Sequence, residues 1–268
     1  RQQPMSLKQL IILNTSFITA LLIGIGTLTI WEMTREVPPR ALKTQPKYGE
    51  ITWPKEDKLA GKEYSDNFDG IDISVFQGRI FWEELSNATH KPKFIFVRAL
   101  GKDAKRDTAY HHNIDMCRKY RIPVGSYIFF TMALSVERQL HDFLDVVDIP
   151  LQDLRPVIDV EDQSITNQNH IHLKDSVMRL AKLLEKEFGA KPIIYSNQRH
   201  YKKHLMPEFN NYPLWMAHYS HEPNIPGVRP ILWQRSETGH VHGIWTYVDL
   251  DSFINGADIT ALMLPKRK

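Results

Sequence analysis

The sequence is poor in cysteine and carries no large excess of either charge. Its 268 residues include one cysteine, Cys117, which excludes an internal disulfide and any zinc site built from several cysteines. The 34 basic residues nearly balance the 31 acidic ones, for a net charge of +3. We therefore expect no nucleic-acid partner, because such proteins carry basic residues in clear excess. With 42% hydrophobic and 24% charged residues, the composition excludes a disordered or collagen-like chain. No motif indicates a metal or another cofactor.

Charged residues are also absent from Gln9 to Trp31, and this absence points to a membrane. The stretch is as long as the ~20 residues that span a bilayer. After a short tail at residues 1–9, we predict that residues 10–31 form a single transmembrane signal anchor rather than a buried core helix. A cleaved signal peptide has a shorter apolar region of ~7–15 residues and a small-residue cleavage site, and neither is evident here. Lysine and arginine are more numerous after the stretch, but long domains translocate largely regardless of charge, so the count leaves the orientation open.

The rest of the chain divides into a linker and one folded domain. Prolines punctuate a polar run with little periodicity over residues 32–66, which predicts a linker. Residues 67–264 alternate short apolar runs, typical of strands covered on both faces, with amphipathic helical patterns. The candidate strands are Gly70–Ser74, Lys93–Leu100, Ile122–Phe130, Arg155–Glu161, Lys191–Ser196, Pro213–Tyr219 and Ile231–Ser236.

The alternation of strands and helices predicts the fold class. Over this length it favours an α/β fold with a parallel sheet, most economically a TIM-like β/α barrel. The later strands are joined by short loops without strong helices, so we expect the last strands to be irregular or partly antiparallel. Cys117 lies on the apolar stripe of one helical pattern, which predicts a core residue rather than a nucleophile. Gly189 follows another such pattern as a predicted helix C-cap.

Carboxylates follow several candidate strands, where the active sites of α/β barrels lie. Asp159 and Glu161 are two residues apart, so in a strand their side chains point to the same face. Two carboxylates on one face repel each other when both are charged, which raises the pKa of one of them. A protonated carboxyl beside an ionised one is the equipment for glycoside hydrolysis. From this pair alone, a solvated loop after a strand remains open.

Aromatic residues also gather on and at the ends of the candidate strands. Each of them alone is better explained as core packing. As a set, flat aromatic faces beside polar groups suit the apolar faces and hydroxyl rims of sugars. The aromatics are Tyr127, Phe129, Phe130, Tyr195, Trp215, Tyr219 and Trp233.

Eight segments of the domain carry a resemblance to a known family. Their order and spacing resemble those of glycoside hydrolase family 25, the Chalaropsis-type lysozymes or N-acetylmuramidases, over roughly residues 67–262. The resemblance implies a β/α-barrel-like fold and cleavage of the β-1,4 bond between N-acetylmuramic acid and N-acetylglucosamine in peptidoglycan. The segments read GIDIS, FIFVRAL, IPVGSYIFF, RPVIDVE, KPIIYS, PLWMAHY, LWQRS and VHGIWTYVDLDSF.

The resemblance also implies roles for individual residues. Glu161 falls on the general acid/base and Asp159 on its partner carboxylate, with Asp72 and Asp249 as two further catalytic acids. The family is treated as retaining. We favour a substrate-assisted route, in which Asp159 stabilises an oxazolinium-like intermediate, over direct attack by Asp159. The implied substrate-binding residues are Gln77, Arg98, Tyr127, Phe129, Tyr195, Trp215, Tyr219, Trp233 and Gln234.

Two departures from the family pattern leave a non-catalytic reading open. Ile128 stands where the family commonly has histidine, which would remove one polar group from the rim. Leu100-Gly101-Lys102 replaces a common Thr-Glu-Gly. A domain that binds cell wall without cutting it is therefore one alternative. A metal-dependent phosphodiester hydrolase, with the four acids holding Mg²⁺ or Ca²⁺, is a weaker one.

Several histidines are spaced in pairs along the sequence. The pairs His200/His204, His170/His172 and His240/His242 lack companion ligands, so we predict surface histidines rather than a zinc site.

The partners expected are peptidoglycan glycan strands and, through the N-terminal helix, a membrane. Because that substrate lies outside the cytoplasmic (inner) membrane, we expect the catalytic domain on its outer, periplasmic side.

Overall fold

The computed structural model of the protein describes residues 63–165 and 172–266. The predicted anchor at residues 10–31 and most of the linker at residues 32–66 lie outside the described residues. Within the described ranges, no helix combines the length and apolarity needed to cross a bilayer.

Eight strands close into a barrel, in chain order around the ring. Strands β1 to β7 pair in parallel, and β8 runs antiparallel to both β7 and β1. The barrel and its partly antiparallel end confirm the predicted fold. The strands are β1 Gly70–Ile73, β2 Phe94–Leu100, β3 Val124–Phe129, β4 Val157–Asp159, β5 Ile193–Asn197, β6 Leu214–Ala217, β7 Leu232–Gly239 and β8 Val248–Phe253.

The antiparallel closure follows from the short connection before the last strand. Only residues 240–247 join β7 to β8. A parallel crossover takes a dozen residues or more, whereas antiparallel neighbours can be joined by a short turn. The last strand therefore returns alongside β7 and places its inward-facing side chains next to those of β1.

The helices pack outside the barrel. The described α-helices are α1 Trp82–Asn87, α2 Tyr110–Lys119, α3 Val136–Val146, α4 Leu173–Phe188 and α5 Gln198–His204.

Helix ends and helix faces follow the sequence signals. Ser135 caps α3 by accepting a hydrogen bond from the backbone N–H of Arg138, as serine does at helix N-termini. Gly189 ends α4 at φ 73°, in the left-handed region that glycine adopts at low cost. Cys117 is fully buried against the barrel. The C-cap and the core cysteine are confirmed.

The core has two layers because the strands bury both faces. Phe94 and Phe96 point into the barrel, whereas Ile95 and Val97 pack against the helices. The interior is tight enough to require glycine at position 125, where a Cβ would lie 2.7 Å from the Phe96 ring. The barrel is thus filled by side chains at this level, and any cleft must lie at its end.

Candidate active site

A cleft of about 210 Å³ opens at one end of the barrel, where the parallel strands have their carboxyl ends. Nine of the thirteen predicted site residues lie in it. All four predicted catalytic acids are among them, so the topology brings together residues from β1, from the segment after β4 and from β8. The lining residues are Asp72, Tyr127, Val157, Asp159, Glu161, Tyr195, Trp215, Tyr219, Gln234, Glu237 and Asp249.

Strand register sets the neighbours of each acid. Asp72 on β1 stands opposite Asp249 on β8, and the two side chains share a hydrogen bond. Asp159 ends β4 beside Tyr195 of β5. Glu161 follows β4, and its backbone N–H donates to Ser164 Oγ at 3.0 Å, which fixes the turn that carries it.

Gln234 connects one acid to two aromatic residues. Its Oε1 accepts hydrogen bonds from the hydroxyls of Tyr195 at 2.7 Å and Tyr219 at 3.0 Å. Its Nε2 therefore faces Asp72 and donates to Oδ2 at 2.9 Å. Gln234 therefore orients both tyrosine hydroxyls at the cleft, and they donate to its amide oxygen rather than to a catalytic carboxylate.

Burial and crowding raise the pKa of every predicted catalytic acid. Burial, opposed by the Gln234 hydrogen bond, raises the pKa of Asp72 to about 6. Burial and the charge of Asp72 raise the pKa of Asp249 to about 9. Burial, followed by repulsion from Glu161, holds the pKa of Asp159 well above its usual range. The cleft therefore keeps protons on carboxyl groups near neutral pH.

Glu161 and Asp159 differ in their surroundings. Burial raises the pKa of Glu161, with smaller contributions from the charges of Asp162 and Glu237. Asp159 Oδ1 is buried and has no hydrogen-bond partner among the described residues. A proton on Glu161 can be delivered to a group bound in the cleft. Asp159 keeps an unused acceptor that a bound ligand could occupy.

Gln77 and Arg98 do not line the cleft. Gln77 is buried, and its Oε1 accepts from the backbone N–H of Ser74 at 2.7 Å. Its Nε2 donates to the carbonyl of Tyr247, so it ties the end of β1 to the segment before β8. Arg98 forms an ion pair with Asp107 at 2.8 Å. The structure places these two predicted substrate-binding residues outside the lining of the cleft, and their roles in binding stay predictions.

Phe129 and Trp233 also fall outside the lining. Phe129 is half-buried and stands beside Asp159 in the sheet. Trp233 donates its indole N–H to the carbonyl of His218 at 2.7 Å. Ile128 is fully buried in the layer between barrel and helices. The expectation that its departure from the family pattern removes a polar group from the rim is wrong, because alternation along β3 turns this side chain outward.

The expectation of surface histidines is wrong for His240, which is buried, and more clearly wrong for His200. Its side chain is 1% exposed, and its Nδ1 lies 2.8 Å from Oδ1 of Asp162, the residue after Glu161. Helix α5 turns this histidine inward and brings it back to the end of β4. Within residues 63–165 and 172–266, no group of three or more histidine, cysteine or acidic side chains is placed to hold a metal.

Glu237 and Asp251 belong to the cleft's electrostatics but were not among the predicted residues. Glu237 lies on β7 beyond one register shift in its pairing with β8 and within a second, so simple alternation from Gln234 does not place it. Asp251 is fully buried below the cleft and accepts from the indole N–H of Trp215 at 2.9 Å. Its position two residues after Asp249 on the same strand is a signal that could have found it.

A family model and a solved structure point to one family, and two further proteins are similar to the chain. The model of "Glycosyl hydrolases family 25" matches residues 71–244. YegX of Escherichia coli K12 is 33% identical over 188 residues, which cover 69% of this chain and 68% of YegX. The autolytic lysozyme of Clostridium acetobutylicum is 26% identical over 188 residues, 70% of this chain and 56% of the lysozyme. A family 25 glycosyl hydrolase from Bacillus anthracis superposes with a TM-score of 0.64 at 26% identity, over 74% of this chain and 95% of that one.

Proposed function

Because the chain belongs to family 25 of the glycosyl hydrolases and is a glycosidase, we propose that it is a muramidase. It hydrolyses the β-1,4 bond between N-acetylmuramic acid and N-acetylglucosamine in peptidoglycan, with net retention at the anomeric carbon. The observation that carries the proposal is the cleft in which Asp72, Asp159, Glu161 and Asp249 converge. A lysozyme among its relatives supports peptidoglycan as the substrate.

Glu161 acts as the general acid and then as the general base. Its raised pKa, caused first by burial, keeps a proton available for the leaving glycosidic oxygen. Once the leaving group departs, the ionised Glu161 takes a proton from the attacking water. General acid/base catalysis of this kind contributes ~10²–10⁴-fold to the rate.

Asp159 assists the 2-acetamido group of the muramic acid. In the proposed route the acetamido carbonyl oxygen attacks the anomeric carbon, which forms an oxazolinium-like ring. The buried, unpartnered Oδ1 of Asp159 accepts the acetamido N–H and stabilises the positive charge. Asp72, whose pKa of about 6 leaves it ionised at neutral pH, supplies further negative potential where the cation develops, and Asp249, whose pKa is about 9, holds the proton of the hydrogen bond that the two share. Carboxyls crowded together stabilise such a cation more than they stabilise the neutral substrate, as catalysis requires.

Replacing Glu161 by glutamine tests the reaction. The variant keeps the shape of the side chain but cannot give up a proton, so kcat should fall by at least ~10²-fold while the thermal unfolding midpoint does not fall. The matched control is Glu187→Gln on the exposed face of α4, which should retain full activity. Purified peptidoglycan is digested, the products are reduced with borohydride, and mass spectrometry identifies the reduced sugar.

Three outcomes would contradict parts of the proposal. A fully active Glu161→Gln variant would remove Glu161 from the general acid role. Reduced N-acetylglucosamine instead of reduced N-acetylmuramic acid would overturn the bond assignment. Cleavage of glycan whose muramic acid lacks the N-acetyl group, at the rate of intact glycan, would favour direct attack by Asp159 over the substrate-assisted route.

We also propose that residues 10–31 anchor the enzyme in the cytoplasmic membrane with the barrel on its outer side. The apolar stretch and the location of peptidoglycan outside that membrane support this orientation. Protease added to spheroplasts should digest the barrel and leave the anchor in the membrane fraction. A barrel that is protected until the membrane is lysed would reject the orientation.

A further inference from the structure

A second crevice lies on the outer side of the same barrel end and is basic where the catalytic cleft is acidic. Its volume is about 350 Å³. We name it the basic crevice. It is lined by Gln198, Arg199, Lys202, Lys203 and His218.

Three cations share one exposed face of helix α5. Arg199, Lys202 and Lys203 have i, i+3 and i+4 spacing, which places them side by side on a helix. They are exposed, whereas His200 and Tyr201 between them are buried. The helix therefore presents its positive charges to the crevice and its buried face to the barrel.

Within residues 63–165 and 172–266 none of these three cations forms an ion pair with a carboxylate, although Arg199 acts on the charge of Asp162 from a greater distance. Some other cations of the barrel do form ion pairs, as Arg98 does with Asp107 and Lys174 with Glu208. No ion pair joins Arg199, Lys202 or Lys203 to a described acidic side chain. An anionic ligand would therefore meet positive charge without first displacing an internal partner.

The crevice has a fixed wall. Gln198 Oε1 accepts from the backbone N–H of Asn224 at 2.9 Å, which holds the segment after β6 against α5. Asn197 Oδ1 accepts from the backbone N–H of His200 at 2.8 Å and so fixes the start of the helix. The two sides of the crevice are thus held by hydrogen bonds at their base.

The basic crevice adjoins the catalytic cleft. Tyr219 lines the cleft and directly follows His218, which lines the crevice. Arg199 lies close enough to Asp162, the neighbour of Glu161, to lower the pKa of Asp162 after the larger effect of His200. A polymer bound in the cleft can therefore extend a side branch into the crevice.

We propose that the basic crevice binds the carboxylates of the peptide stem carried by the muramic acid. This inference rests on the proposed function. The glycan itself is uncharged and lies over five carboxyl groups, which would repel an anion. The stem joins the lactyl group of muramic acid and carries free carboxylates, so it is the anionic branch of the substrate. Guanidinium and ammonium groups are the usual partners of carboxylates.

The test compares two substrates that differ only in the stem. Glycan chains with intact stems are compared with the same chains after an amidase has removed the stems and the freed lactyl carboxylates have been converted to methylamides, and both are digested by the full chain. We expect the wild type to favour stem-bearing chains through a KM about tenfold lower, the size expected of three exposed charge contacts. The triple variant Arg199→Gln, Lys202→Gln, Lys203→Gln should lose this preference and cleave stripped chains at the wild-type rate.

A matched variant controls for net charge. Lys119→Gln, Lys182→Gln and Lys186→Gln remove three exposed charges from α2 and α4, towards the other end of the barrel. This control should keep the preference for stem-bearing chains. Added salt should reduce the preference of the wild type, since exposed charges are screened.

Each remaining result decides against the inference. Equal KM values for both substrates in the wild type would overturn it, as would an equal loss on both substrates in the triple variant. If the triple variant instead lost only its retention on anionic phospholipid vesicles, the crevice would be a lipid site and not a stem site. Cleavage of neither substrate by the wild type would overturn the proposed function, and this inference with it.

Discussion

Replacing Asp72 by asparagine is expected to stabilise the barrel at neutral pH while disabling the enzyme. Asp72 is 6% exposed, and its Oδ2 accepts from Gln234 Nε2 at 2.9 Å. It also shares a hydrogen bond with Asp249. Asparagine has the same shape. Its oxygen can accept from Gln234 and its amide can donate to Asp249, so the substitution removes a buried charge without removing a contact.

The size of the effect follows from the pKa of Asp72. Burial raises it from 3.8 to about 6 in the folded state, and each pKa unit is worth 1.36 kcal/mol, so the charged form costs ~3 kcal/mol of stability. Because the folded state holds this proton more tightly than the unfolded state, stability is lost as the pH rises from about 4 to about 6. Above that range the full cost is present, and asparagine avoids it. For a domain of this size, ~3 kcal/mol raises the unfolding midpoint by roughly 6–12 °C.

The assay is thermal unfolding of wild type and Asp72→Asn between pH 4 and pH 8, with kcat measured alongside. The stability gain should be small at pH 4, grow to its full value near pH 6 and then stay constant, while kcat falls by ~10²-fold. Asp175→Asn, in the exposed first turn of α4, is the control and should give no gain. A gain that does not change with pH, or a variant less stable than wild type at pH 7.5, would refute the reasoning.

Two further predictions concern the mouth of the cleft and the backbone. Glu237→Gln should move the alkaline limb of the kcat/KM profile to lower pH, because the charge of Glu237 helps to raise the pKa of Glu161; an unmoved limb would contradict this. Gly125→Ala should cost ~1–3 kcal/mol of stability, since its Cβ would lie 2.7 Å from the Phe96 ring. Gly189→Ala meets no atom within 4 Å and should cost only ~1 kcal/mol, from its positive φ. Chemical denaturation measures both, and a costlier Gly189→Ala would reverse the ranking.

The strands could be predicted because most bury both faces. The apolar start of β5, for example, carries Ile193 and Tyr195 on the barrel side and Ile194 on the helix side. The ends of the strands could not be predicted as well, because buried residues continue past the last regularly paired residue of a strand. Val160 lies outside β4 but is fully buried, and its N–H still donates to the carbonyl of Tyr195. Hydrophobicity reports burial, whereas a strand ends where regular pairing ends.

The cleft could be predicted where its residues follow local spacing, and not where they depend on distant contacts. Asp159 and Glu161 share the cleft as their i, i+2 spacing predicts. Glu237 could not be placed, because register shifts in β7 break the alternation. The burial of His200 cannot be predicted from local spacing, because the residue that explains it, Asp162, lies 38 positions earlier in the chain. The parallel pairing of β4 with β5 brings these two residues together.

The two charged regions at this end of the barrel should respond differently to mutation, because their charges are held in different surroundings. The carboxyls of the cleft are buried and raise one another's pKa, so removing one changes stability, its pH dependence and kcat together. The cations of the basic crevice stand in water on α5, where desolvation costs little and charge is screened. Removing them should alter KM for stem-bearing glycan and leave the unfolding midpoint within about 1 °C of wild type. A crevice variant that changed stability as Asp72→Asn does would show that the two regions are not electrostatically separate.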